Sequence, residues 1–325
     1  MEKSGKILLL ASMGSLMFAH PLLALANKNS VYIEDEEDSW ELGASALYLQ
    51  PSSSENFAYA TVETLDGGSY THAVDRDFDW GYDVFLRYHF EEHDRDLALN
   101  YMHFSNGDSD DIDLGGLNPN YNYNKFYYTA EGSVDTHVDM IDLMAGQYVN
   151  FGRAVQLHFV AGVAYARVKQ VESAAYDEGL GEDSIDAPLA QEAYETFNST
   201  FEGVGPKFGI NADYEIYQSD FGLVGGLSYA LLIGSQDHSN EIITANGPNP
   251  DPDFNYVNND FDSTSLVVSN INANLGIAYE YEYSDEEEQV IGLELGYQVN
   301  QFLDVAYDDQ DVNLAGPYLT LRAAY

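Results

Sequence analysis

The chain has 325 residues with 12 Lys and Arg against 55 Asp and Glu, a formal charge of −43. That balance excludes nucleic acid as a partner, because binding needs Lys and Arg to displace counterions from phosphate. The absence of cysteine excludes disulfides and any thiol-based metal or redox site.

The amino end reads as an export signal. Lys3 and Lys6 precede an apolar run from Ile7 to Phe18, Pro21 breaks the run, and Ala24-Leu25-Ala26 supplies a small-residue cleavage site. The run is well short of the ~20 apolar residues that a membrane-spanning helix needs. Cleavage after Ala26 removes Glu2, Lys3 and Lys6, leaving 54 acidic and 10 basic residues and a formal charge of −44. Residues 27–39 read as a short acidic periplasmic segment. No later apolar run could span as a helix, so a membrane crossing must be made by strands closed into a barrel.

From residue 40 onward the sequence alternates with period two. In 78–90, Phe78, Trp80, Tyr82, Val84, Leu86, Tyr88 and Phe90 share one face, opposite Asp79, Gly81, Asp83, Phe85, Arg87 and His89. Rings at both ends with aliphatics between them are what a strand crossing a bilayer presents to lipid. The pattern predicts strands at 40–49, 78–90, 96–104, 134–150, 154–168, 203–214, 220–233, 267–283, 290–299 and 318–325. Across 134–150 the phase is set by Asp142 facing inward, which leaves Asp135, His137 and Asp139 above the membrane. Long polar segments (50–77, 105–133, 169–195, 234–264, 301–315) alternate with short ones (91–95, 151–153, 215–220, 284–288). Outer-membrane barrels show this alternation of long outer loops and short periplasmic turns. The reading is an all-β antiparallel transmembrane barrel over 40–325 with about ten strands, eight and twelve being the alternatives. A soluble lipocalin-like barrel or sandwich would also alternate. Here, however, charge concentrates in the loops, and the non-apolar face is mostly Gly, Ala, Ser and Asn.

Several segments together, WELGASALYLQPS (40–52), WGYDVFLRYHF (80–90), LALNYMHFS (97–105), GQYVNFG (146–152), GVAYARV (162–168), FEGVGPKFGINADYEI (201–216) and LGYQVNQF (295–302), resemble the Legionella major outer membrane protein family of pore-forming barrels. The resemblance implies a porin-like role in the outer membrane of a Gram-negative cell. Well-known members carry cysteines and form disulfide-linked oligomers; this chain could form only a non-covalent homo-oligomer.

Function turns on the lumen. Gly81, Gly162, Gly203, Gly205, Gly209, Gly222, Gly226, Gly276, Gly292 and Gly296 should face inward. They either leave a narrow aqueous path or relieve strain in a strongly curved sheet. The charges expected to line the lumen are Asp83, Asp213, Glu280, Glu282 and Glu294 against Arg87, Lys207 and Arg322. The acidic surplus predicts a preference for cations, unless the charges pair across the lumen, as Arg87 could with Asp83. The outer segments 106–116 and 251–262 are acidic. Asp108, Asp110, Asp111 and Asp113 are weak calcium candidates because their spacing does not match an EF-hand loop.

No catalytic motif accompanies Asp135, His137 and Asp139, so the reading is not an enzyme, and no cofactor is implied. The expected function is passive diffusion of small hydrophilic solutes or ions. The alternative is a structural or adhesive barrel whose acidic loops meet host or environmental partners. Expected partners are outer-membrane lipid and lipopolysaccharide, and barrel-assembly machinery through the final strand, which ends on the aromatic Tyr325.

Overall fold

A computed structural model describes residues 39–54, 56–63, 68–90, 94–119, 127–152, 154–177, 192–216, 219–246, 253–284, 289–306 and 310–325. The export signal and nearly all of the acidic 27–39 segment lie outside the described residues. The described residues form thirteen strands: β1 (Ser39–Ser53), β2 (Ala58–Glu63), β3 (Ser69–Ala73), β4 (Asp79–Phe90), β5 (Arg95–Pro119), β6 (Tyr127–Phe151), β7 (Val155–Asp177), β8 (Ala193–Glu215), β9 (Phe221–Asn246), β10 (Asp253–Asp260), β11 (Thr264–Ser284), β12 (Gln289–Leu303) and β13 (Val312–Ala324). Ten of them close an antiparallel ring in the order β1-β4-β5-β6-β7-β8-β9-β11-β12-β13, and β13 pairs back onto β1. Leu42↔Ala323 and Ala46↔Leu319 set the register of that seam. Beyond it, Trp40 and Tyr325 exchange backbone hydrogen bonds of 2.9 and 3.0 Å.

The ring turns its greasy side out. Leu42, Trp80, Leu99, Leu143, Val163, Phe208, Leu227, Leu275, Leu295 and Leu321 are all exposed and lie on the outer face. No described part of the chain covers them, and an outward apolar belt of this kind is what such barrels turn to hydrocarbon lipid. Both described chain ends and the short turns lie at one end, called here the turn end and periplasmic by the general rule for such barrels.

The strands run further than the sequence pattern predicts. The segments 105–133, 169–195 and 234–264 were expected as outer loops, yet much of each is strand. β8 has 23 residues, about twice the ~9–11 that cross a bilayer. The physical reason is a change of face. Within the belt the apolar residues point outward, as Val163 does on β7 and Val204 on β8. Further along the same strands Val168, Ala174 and Tyr176, and Phe201, Phe197 and Ala193, point inward and are buried. Above the lipid the wall must meet water, so its hydrophobic face moves to the inside.

This upper wall is built by β5 to β9, because β4 begins only at Asp79. The exposed edge of β5 is covered by β2, which pairs Ala60 with Pro119 and Val62 with Leu117, and by the backbone of Asp77, to which Asn106 donates. Covering an unpaired edge prevents it from recruiting another strand. Phe57, Tyr59 and Val74 thereby complete an inner layer with Ile112, Tyr127, Val134, Tyr176 and Phe197. Tyr176 Oη donates to the Tyr59 carbonyl at 2.5 Å.

One rung below, Asn106, Thr136, Gln170, Ser199 and His238 stand side by side on five neighbouring strands, a polar course between two apolar ones. Beneath them a second layer fills the lumen at the loop-side edge of the belt. It comprises Leu47, Leu49, Phe104, Val138, Phe201, Leu232, Val268, Phe302, Val312 and Leu314. Val305 and Ala306, expected within the fifth outer loop, instead fold into this layer and are 1% and 3% exposed.

Candidate functional site: a charged cavity in the turn half of the lumen

Below the apolar plug lies a cavity of about 600 Å³. It reaches the turn end, where Phe90, Asp94, Arg95, Asn150 and Gln156 form its mouth, and it stops inward at Leu47, Met102 and Met140. Period-two alternation brings its charges together: every second residue of β1, β4, β8, β11, β12 and β13 in the belt points at the lumen axis. Seven of the eight charges expected to line the lumen are in its wall: Asp83, Arg87, Lys207, Asp213, Glu280, Glu294 and Arg322. The eighth, Glu282, is paired through its backbone with Val290 near the end of β11, and its side chain lies outside the described residues.

The charges form local pairs rather than a continuous acidic ring. Arg87 does not pair with Asp83, as the sequence suggested it could. Its Nη1 lies 2.7 Å from Glu41 Oε2 and its Nε lies 3.2 Å from Asp96 Oδ2. Glu41 and Asp96 flank Arg87 because β1 and β5 pair on either side of β4, with Glu41 and Ala98 directly opposite it. Asp96 also accepts from Tyr148 Oη at 3.0 Å and lies 3.0 Å from His158 Nε2. The Tyr148 and His158 rings stack at 4.0 Å between centroids. Lys207 Nζ donates to Asp142 Oδ2 at 2.5 Å, as expected for an inward Asp142. Arg322 pairs with Glu280 and stands 3.9 Å from Glu41.

Amides continue the polar wall. Asn270 Nδ2 donates to Asn300 Oδ1 at 2.6 Å, and Asn274 donates to Tyr318 Oη, which donates in turn to Glu294. Asp83, Asp213 and Glu294 take part in none of the salt bridges among the described residues.

Most of the inward glycines do not hold a path open; at Gly222 only the Tyr214 carbonyl oxygen, at 3.4 Å, stands near where a Cβ would be. A Cβ on Gly81 would lie 2.7 Å from the His103 carbonyl oxygen, and one on Gly296 would lie 2.6 Å from Tyr318 Cζ. Their hollows are filled by the neighbouring strand or by a large inward side chain. Nor do Asp108, Asp110, Asp111 and Asp113 converge on a cation, because 106–116 is strand and not loop. Alternation sends Asp108 and Asp110 to one face and Asp111 and Asp113 to the other. Asp108 accepts from the Asp77 backbone and Asp110 from Tyr59 Oη. His137 and Asp139 lie on the outer face above the belt, as expected, where Asp139 accepts from Tyr101 Oη at 2.9 Å and stands 2.8 Å from His103 Nδ1.

A family model described as the Legionella pneumophila major outer membrane protein precursor matches residues 32–324, nearly all of this chain. The chain belongs to that family. Among curated proteins no sequence matches this member. Among solved structures it is similar to the outer membrane protease OmpT from Escherichia coli, at 10% identity and a TM-score of 0.45 over 88% of this chain and 95% of that one. It is also similar to the TodX deltaS2S3 mutant monoaromatic hydrocarbon channel, at 7% identity and a TM-score of 0.29 over 88% and 90%. The outer membrane protein AlkL in lipid bilayers matches at 11% identity and a TM-score of 0.28 over 81% and 96%. The family match and the closed antiparallel ring make this Legionella family member a bacterial outer-membrane β-barrel.

Three groups in or just behind the cavity wall were not singled out by the sequence reading: Glu41 and His158 line it, and Asp96 lies behind Arg87. Glu41 sits between Trp40 and Leu42, so alternation alone would have turned it inward. Asp96 and His158 occupy inward positions of β5 and β7 by the same rule. Their partnership needs the register of three adjacent strands, which no local pattern contains.

Proposed function

We propose that this protein is a gated outer-membrane pore that lets small hydrophilic solutes diffuse passively, with a preference for cations. The observation that supports this reading is the charged and amide-lined cavity of about 600 Å³ inside the membrane span. A barrel serving only as a scaffold gains nothing by holding buried charges there, since desolvating each costs several kcal/mol before pairing. Cation preference follows from Asp83, Asp213 and Glu294, none of which forms a salt bridge among the described residues.

The apolar layer above the cavity is the gate. Two of its members, Val305 and Ala306, sit in the connection between β12 and β13 and not in a strand of the ring. Gln236 Nε2 holds that connection by donating to the Val305 carbonyl at 2.8 Å and the Ala306 carbonyl at 3.1 Å. Conductance in planar bilayers tests the proposal. Replacing 304–311 with a short Gly-Ser turn should raise open probability, and reversal potentials in a KCl gradient should favour K⁺. No conductance from either form would overturn it.

A second reading, an adhesive barrel, is favoured by the edge strands beyond the upper wall. Tyr70 on β3 and Tyr256 on β10 are 66% and 68% exposed at the loop end, where a surface partner could meet them.

A further inference from the structure

The cavity has an apolar floor beneath a charged wall, and that combination narrows what could occupy it. Its inner end is Leu47, Met102 and Met140. Three wall carboxylates, Asp83, Asp213 and Glu294, have no Arg or Lys within 4 Å among the described residues. A fourth, Asp142, has a side chain only 9% exposed; it gives Oδ2 to Lys207 and leaves Oδ1 with no hydrogen-bond donor. Buried carboxylate oxygens seldom go without a donor, and this one has none among the described residues.

The carboxylates are also spread out. Asp83 lies across from Ser45, Ser45 from Thr320, and Thr320 from Glu294, all on one rung. The Ser45 and Thr320 hydroxyls between them are 2.8 Å apart. Three interstrand steps put Asp83 and Glu294 about 14 Å apart around the wall, and closer where their side chains lean inward. A metal ion needs its ligands gathered, and no group of three or more His, Asp or Glu among the described residues could hold one. A molecule with a positive charge at each end and methylenes between them meets the separated carboxylates and the floor together. The volume is in the range of sites that enclose a small organic ligand, ~300–1,000 Å³.

We propose that the cavity is a binding site, entered from the turn end, for short aliphatic diammonium cations. One ammonium sits at Asp83 and the other at Glu294. Asp213 adds to the field, and the methylenes lie on Leu47 and Met102. The proposal deepens the pore reading by naming the solute class, but its test does not depend on conduction.

Isothermal titration of the detergent-solubilised barrel with 1,5-diaminopentane should show saturable one-site binding. The isosteric neutral probe 1,5-pentanediol should show none. Asp83→Asn combined with Glu294→Gln should weaken diamine binding at least ten-fold, and Asp213→Asn alone should weaken it several-fold. Asp237→Asn, on the outer wall, should leave it unchanged. Absence of saturable diamine binding by the parent protein, equal binding of the diol, or undiminished binding by the Asp83/Glu294 pair or by Asp213→Asn overturns the site. Conductance without diamine binding sinks the site and spares the pore; diamine binding without conductance does the reverse.

Discussion

Gln236→Ala should loosen the gate. The side chain is 6% exposed, and its amide nitrogen faces three acceptors: Ser199 Oγ at 3.1 Å and the Val305 and Ala306 carbonyls at 2.8 and 3.1 Å. An amide has two N–H groups, so at most two full hydrogen bonds are lost, each worth about 1 kcal/mol net. Both carbonyls also lose their side-chain donor when the connection is docked, which adds to the same side. The docked state should therefore lose about 2 kcal/mol relative to the withdrawn one, roughly a thirty-fold rise in the withdrawn population. Because the chain has no cysteine, Ala306→Cys supplies a single reporter at a position buried only when the connection is docked. Labelling of that cysteine by a membrane-impermeant maleimide, under conditions where chemistry is slower than redocking, should be about thirty-fold faster with Gln236→Ala. A rate within two-fold of the parent would refute the idea that Gln236 holds the plug shut.

Three further outcomes follow from other parts of the barrel. Burial pushes the Glu195 carboxyl, in the upper inner layer, up to about 7 from an ordinary 4.5. The folded chain therefore holds this proton more tightly than the unfolded chain, stability falls as pH rises from about 4.5 to 7, and the full penalty above that is on the order of 3 kcal/mol. Glu195→Gln should flatten that part of the thermal-midpoint profile between pH 5 and 8; an unchanged slope would contradict the assignment. Arg87→Met removes the cation shared by Glu41 and Asp96, two buried carboxylates. It should cost roughly 3–5 kcal/mol, read as a lower urea midpoint in detergent. Val163→Arg, on a lipid-facing residue that is 51% exposed, should cost about 2–4 kcal/mol at mid-bilayer depth. It should reduce heat-modifiable folded barrel on gels, whereas Ala164→Ser beside it, facing inward, should not.

The belt was legible because lipid imposes one rule on every strand. Trp80, Tyr82, Val84 and Leu86 declare their face without reference to any partner, and ten such runs gave the ring. The upper wall was not legible because its rule inverts. Val168, Ala174 and Tyr176 keep the same period, but they are scattered among Gln170, Glu172 and Ser173 and read locally as loop. Of the candidate site, seven wall charges were readable from phase alone. The pairing was not, since Arg87 meets Glu41 and Asp96 only through the register of β1 and β5 against β4. The glycines left two readings open for a related reason: a missing side chain says nothing about whether Tyr318 or a neighbouring carbonyl will occupy the space.

The seam between β1 and β13 joins segments more than 250 residues apart in the chain. No earlier pair of strands can stand in for it, so each partially built sheet keeps two ragged borders with unsatisfied amides. Such borders cannot rest in hydrocarbon, and contacts this remote are slow to find. Biogenesis must therefore hold the polypeptide unclosed in an aqueous or escorted state and complete insertion and circularisation together.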